Sequence, residues 1–93
     1  MIVVAQVWDL HLEGCQSLKD KRAILQSLKA RLTEKLNLAV SETGQQDKWQ
    51  RAELAVATVA SDRRVAEETL RAADRIVEAT GGVRIMDTAV VVR

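Results

Sequence analysis

Three cations stand at the start of what reads as a helix. Lys19, Lys21 and Arg22 follow Ser17 and Leu18, with Asp20 the only local offset. A helix N-terminus carries about half a positive charge and favours anions there. Cations stacked on that end are the arrangement a phosphate group would satisfy, and RNA is the natural polymer of such groups. Lys29 continues the side of the helix that carries Lys19 and Arg22. The competing reading pairs these side chains with Asp9, Glu13 or another carboxylate, leaving a solvated face. A second candidate is Lys48-Trp49-Gln50-Arg51. Trp49 could stack on a base while Lys48 and Arg51 hold phosphates. Alternatively it folds back as an apolar anchor for its loop, which is the usual fate of so large a side chain.

The net charge of +1 hides a polarised chain. Between Ser17 and Leu36, six cations face two anions, a balance of +4, while the remainder carries −3. Catalytic patterns are lacking. Asp9, His11 and Glu13 alternate on one strand face with Cys15 nearby, but a lone His beside carboxylates is usually an ordinary surface residue. No Ser/His/Asp order, phosphate-cradling glycine loop or Cys/His spacing is present. The expectation is a non-enzyme with no metal, cofactor or small-molecule ligand. One Cys excludes an intramolecular disulfide and a Cys-based zinc cluster, and the default address is the cytoplasm. Met1 to Leu10 lacks a basic leader and is broken by Gln6 and Asp9, so neither a signal peptide nor a membrane span is expected.

These residues need elements to hold them. Ile2 to Leu12 reads as a strand with an even-numbered core face, on which Gln6 dissents and Trp8 is a core residue. Ser17 opens a helix, with Asp20 in a partial capping box. Its apolar stripe is Ile24, Leu25, Leu28, Leu32 and Leu36, and Asn37 ends it. A short strand follows at Leu38 to Ser41, then a polar loop over Thr43 to Arg51 and a strand at Glu53 to Ala60. Ser61 and Asp62 suit the cap of a second helix. Val65, Thr69, Leu70, Ala73, Ile76 and Val77 form its inner face, and Gly81-Gly82 stops it. Its outer face is a solvated mixture of Arg63, Arg64, Glu67, Glu68, Arg71, Asp74, Arg75 and Glu78, with Glu67 and Arg71 paired one turn apart. Val83 to Val92 is the last strand, interrupted by Asp87.

The order β-α-β-β-α-β with right-handed crossovers predicts an α+β, ferredoxin-like sandwich. It is a four-stranded antiparallel sheet with both helices on one face, formed by residues 1–93 as a single domain. The first and third strands are apolar on both faces and should be central.

Two segments carry a family likeness. His11-Leu12 with Ser17-Leu18-Lys19-Asp20-Lys21-Arg22, and Gly44-Gln45-Gln46-Asp47-Lys48-Trp49-Gln50-Arg51-Ala52, resemble the two motifs of the YlxP-like family of small bacterial domains of unknown function. The resemblance extends to Ser61-Asp62 and implies the ferredoxin-like fold, together with a genomic setting among translation and ribosome-maturation genes. It brings no catalytic residues. Gln6 and Trp8 stand where relatives would carry aliphatic residues.

Two function classes emerge. One is a non-catalytic RNA- or ribosome-associated binding domain using the basic first helix and the Trp49 loop. The chain has two Trp and no Phe or Tyr, so the aromatic sheet surface of an RNA-recognition motif is missing and RNA contact would fall to helix and loop cations. The other is a homodimeric protein-interaction or regulatory module. Val3, Ala5 and Val7 place apolar surface where no helix covers the sheet, and the edge of the last strand offers a second pairing route.

Overall fold

The computed structural model describes every residue from Met1 to Arg93. The elements run β1 (Ile2–Leu12), α1 (Leu18–Leu36), β2 (Ala39–Gly44), β3 (Arg51–Ala60), α2 (Arg63–Glu78) and β4 (Val83–Val92). The antiparallel sheet has the order β2-β3-β1-β4, so β1 and β3 are central. The ferredoxin-like arrangement read from the sequence is the one the chain adopts. No helix is long and apolar enough to cross a membrane.

Alternation along the strands decides what reaches the core. Even positions of β1 and β3 are buried, from Val4, Trp8, Leu10 and Leu12 to Ala52, Leu54 and Val56. Leu25, Leu28 and Leu32 of α1 and Ala66, Leu70, Ala73 and Val77 of α2 cover them. The core is aliphatic around one fully buried indole, that of Trp8.

Trp8 and Gln6 stay on the core face because α2 supplies a polar partner for both. Trp8 Nε1 donates to Asp74 Oδ1 at 2.8 Å and Gln6 Nε2 donates to the same oxygen at 2.6 Å. Asp74 therefore leaves the solvated face the sequence suggested and turns toward the sheet. A buried donor without an acceptor costs about 1–3 kcal/mol, so this one carboxylate oxygen removes two such penalties. Two further assignments on α2 change. Val65 is exposed while Ala66 takes the inner position. Glu67 pairs backward with Arg63 at 3.4 Å rather than forward with Arg71.

The helix ends obey local chemistry. Ser17 Oγ accepts from the Asp20 amide at 3.1 Å, while Asp20 Oδ2 accepts from the Gln16 amide, one residue short of the reciprocal box. Asn37 closes α1 in the left-handed region at φ 53°. Asp62 caps α2 by accepting from the Val65 amide.

Two register shifts matter for the free face. In β4, Ile85 pairs with Leu10 and Asp87 with Asp9, so Met86 has no opposite residue. The bulge inverts the alternation: Val83 and Ile85 pack on the core, whereas Asp87, Ala89 and Val91 lie with the odd residues of β1 on the other face. In β2 the shift falls between Glu42 and Gly44. Both hairpin strands run further toward their shared loop than the sequence suggested, so that loop spans only residues 45–50.

Candidate functional site

Lys21 is not a surface cation. It occupies the stripe of Leu25, Leu28 and Leu32, and its side chain is 2% exposed. Its ammonium meets Glu42 Oε2 at 2.8 Å and donates to the carbonyl oxygens of Gln45 at 2.6 Å and Lys48 at 2.9 Å. That corrects its assignment as a phosphate contact. A buried ammonium must be paired and hydrogen-bonded, and these three acceptors meet that demand. Lys21 instead fastens the 45–50 loop to the first turns of α1. Gln50 reinforces the join, its side chain donating to Cys15 O and its carbonyl accepting from the Leu12 amide. The Cys15 thiol is buried beneath it, and burial first, then the Asp20 charge, push its pKa above the ordinary 9.0 against an opposing Lys21 charge.

The join brings the two sequence candidates together. Lys19, Arg22 and Lys48 are exposed, and none forms an ion pair. Lys29 is half-buried further along the helix. Trp49 is 52% exposed, so it does not fold back as the anchor its size favoured. Glu13, Asp20 and Asp47 are exposed on the same segments, which leaves the local charge close to balance. Arg51 departs from the group: Nη2 lies 2.6 Å from Asp9 Oδ2, and the Asp9 hydrogen bond, then its charge, raise the guanidinium pKa further.

The face of the sheet away from the helices carries odd residues of β1, β3 and β4 in ranks set by the register. Val59 lies beside Val3, Ala57 beside Ala5 and Val91, and Ala55 beside Val7 and Ala89. Next come Glu53, Asp9 and Asp87 in one acidic rank, then Arg51, His11 and Arg84 in a basic one. Val3, Ala5 and Val7 are half-buried among these neighbours, and Val59 and Val91 are exposed. Glu53 is steadied by a hydrogen bond of 2.7 Å from Thr43 Oγ1. It lies so close to Gly44 that a Cβ there would sit 3.0 Å from its Oε2. The acidic and basic ranks thus lie toward one end of the sheet; at the other, Arg93 pairs with Val3 through two backbone hydrogen bonds of 2.9 and 2.7 Å, and the small side chains of Ala5, Ala39, Ser41, Ala55 and Ala57 line a shallow hollow between.

The signals for Lys21 and Asp74 were present but overruled. Lys21 shares the 21-25-28-32 face with three leucines, and a Gln and a Trp on a core face both need a polar partner. Their charges argued for the surface.

Fold and surfaces together define a small α+β domain of ferredoxin-like topology with an uncovered sheet face. Solved structures agree on the fold. A dimeric ferredoxin-like protein from an uncultured marine organism superposes with a TM-score of 0.60 at 5% identity, over 100% of this chain and 96% of that one. SnoaB from Streptomyces nogalater, a cofactor-independent oxygenase, gives 0.56 at 10% identity, over 98% and 90%. The family described as a protein of unknown function (DUF503) matches residues 3–90, and the chain belongs to that family. It is also 44% identical over 55 residues to the uncharacterized protein YlxP of Bacillus subtilis (strain 168), a stretch covering 59% of this chain and 60% of the relative.

Proposed function

We propose that this domain is a non-catalytic interaction module that associates with a second copy of itself through the free sheet face. The observation that carries the reading is the uncovered run of Val3, Ala5, Val7, Ala55, Ala57, Val59, Ala89 and Val91. A contiguous apolar patch on a small domain supports reading this face as an interaction surface. The dimeric description of the marine neighbour supports it at the level of fold alone. Small side chains limit its strength. Three ranks on four strands give a footprint of roughly 14 Å by 19 Å. That is well below the ~800 Å² each partner buries in a standard interface, so the dimer is weak and reversible. Sedimentation equilibrium between about 5 and 200 µM should show mass rising toward twice 10.3 kDa. A monomeric mass across that range overturns the proposal.

A second reading rests on the exposure of Trp49 beside Lys48, Lys19 and Arg22, and extends to Lys29 along α1. In it, RNA or a ribosomal surface docks by stacking and phosphate contact, without Lys21 and without a free Arg51. Trp8 is buried, so the change in indole fluorescence on adding a uridine oligonucleotide reports on Trp49. Binding must weaken steeply with salt and be lost in Trp49→Ala. Unchanged fluorescence at low salt refutes this reading and leaves the first intact.

A further inference from the structure

The 45–50 loop sets a carboxylate beside its exposed indole. Asp47, Lys48, Trp49, Gln50 and Arg51 line one shallow hollow of 540 Å³. Asp47, Lys48 and Trp49 are all exposed, and none of their side chains joins a hydrogen bond or ion pair within the protein. The backbone that carries them is held from behind. The Lys21 ammonium grips the Gln45 and Lys48 carbonyls, and Gln50 is tied to Cys15 and Leu12. A ligand on this surface therefore incurs little cost for ordering the loop.

A base stacked on the Trp49 ring keeps its polar edge free, and Asp47 on the same hollow offers that edge two acceptor oxygens and no donor. A carboxylate selects among unpaired bases by what their edges donate. Uracil presents one N–H between two carbonyls. Adenine and cytosine each present an amine beside an unprotonated ring nitrogen. In all three an acceptor would face the carboxylate. Guanine presents two adjacent donors, N1–H and the N2 amine, which match the two carboxylate oxygens in a charge-assisted pair.

We infer that the loop reads an unpaired guanine of single-stranded RNA, stacked on Trp49 and held along its edge by the Asp47 carboxylate. This inference rests on the second reading above and names the base that its site prefers. It also gives a task to an anion on a surface otherwise suited to phosphate. Asp47 weakens contact with the phosphates of any nucleotide and offsets that loss for guanine, so it sharpens the choice of base.

The test uses single-stranded RNA hexamers of uridine carrying guanosine, adenosine, cytidine or uridine at the third position. Trp8 is buried, so quenching reports on Trp49, and affinities are compared by titration midpoint at low salt. The guanosine hexamer should bind about five- to tenfold more tightly than the other three, the low end for a bidentate base contact. Inosine at the same position lacks the N2 amine and should lose most of that advantage. Asp47 is exposed and unpartnered, so Asp47→Asn leaves the fold intact. That variant should bring the four hexamers within about twofold of one another, while the uridine hexamer binds it no more weakly than the natural chain. Equal binding of all four, or a guanosine preference that survives Asp47→Asn, overturns the inference and leaves the stacking reading standing. Unchanged fluorescence with every hexamer removes both. Free guanosine monophosphate should bind more weakly than the guanosine hexamer, because it brings no further phosphates to Lys19 and Arg22. Equal or tighter binding of the mononucleotide overturns RNA as the source of the base.

Discussion

Replacing Lys21 with Met tests whether a cation is the fastening of the 45–50 loop. Met keeps an unbranched stem of similar length beside Leu25 and deletes only the ammonium. The change strands the carbonyl of Lys48 and the carboxylate of Glu42, while the Gln45 carbonyl keeps the Lys48 amide as a donor at 3.0 Å. Glu42 is 20% exposed as a side chain, but the Oε2 that meets Lys21 is itself buried and loses its cation. The Lys48 carbonyl left without a donor costs about 1–3 kcal/mol, and the buried carboxylate oxygen at least as much. Against that, the desolvation of the ammonium is no longer incurred, and it amounts to several kcal/mol before pairing. A net loss of about 2–3 kcal/mol follows, which for a chain of 93 residues lowers Tm by roughly 10–20 °C. Arg22→Met, one residue along and exposed, should change stability by less than about 0.5 kcal/mol. Urea unfolding gives both values, and hydrogen exchange of the amides of residues 45–50 localises the effect. If Lys21→Met and Arg22→Met lie within error of each other, or the loop amides keep their protection, Lys21 is not the fastening and its burial has been misread.

Other expectations follow from the same contacts. Asp74→Ala leaves the Trp8 and Gln6 donors buried without an acceptor and should cost about 2–4 kcal/mol by urea unfolding. Asp74→Asn keeps one acceptor oxygen and should lose about half as much, and equal losses would contradict a hydrogen-bond origin. Because burial and Asp20 raise the Cys15 pKa, the protein holds the neutral thiol more tightly than the unfolded chain does. The stability this contributes is complete below pH 9.0 and is lost as pH rises from there through the raised value. Cys15→Ala should flatten the decline measured by urea midpoints above pH 9.0, and an unchanged slope would show the thiol is not involved. On the free face, Ala57→Glu places a carboxylate in the middle of the apolar ranks. It should hold the protein monomeric by sedimentation with far-ultraviolet circular dichroism unchanged, and persistence of the dimer would move the interface elsewhere.

Much of the architecture could be read from alternation and caps. Ile2–Leu12 and Val83–Val92 were legible because strands leave a period of two and β1 is bounded by Gly14. The centrality of β1 and β3 followed from strands apolar on both faces. What escaped was polar burial. Lys21 and Asp74 carry charge, which statistics send outward, yet each is held inward by partners distant in sequence. Periodicity reports where a side chain can point and cannot report an acceptor 24 or 68 residues away. The position of Trp49 was open for a different reason: a loop residue has no period, and its exposure follows from Lys21 and Gln50 fixing the backbone around it. The bulge at Met86 left only the interruption at Asp87 as its trace.

That bulge also bears on whether the edge of the sheet can template a visiting strand. The outer edge of β4 has unpaired backbone groups and no proline to deter a visiting strand. A regular ten-residue edge would template a long intermolecular ladder. Met86 divides it into Val83–Ile85 and Asp87–Val92 with opposite facing, so no incoming strand can keep one register across the whole edge. The stretch Asp87–Val92 remains long enough for a steric zipper, but it begins with a carboxylate that would stack on itself in every added layer. Deleting Met86 would restore an unbroken edge, and with it a template for growth that the natural chain withholds.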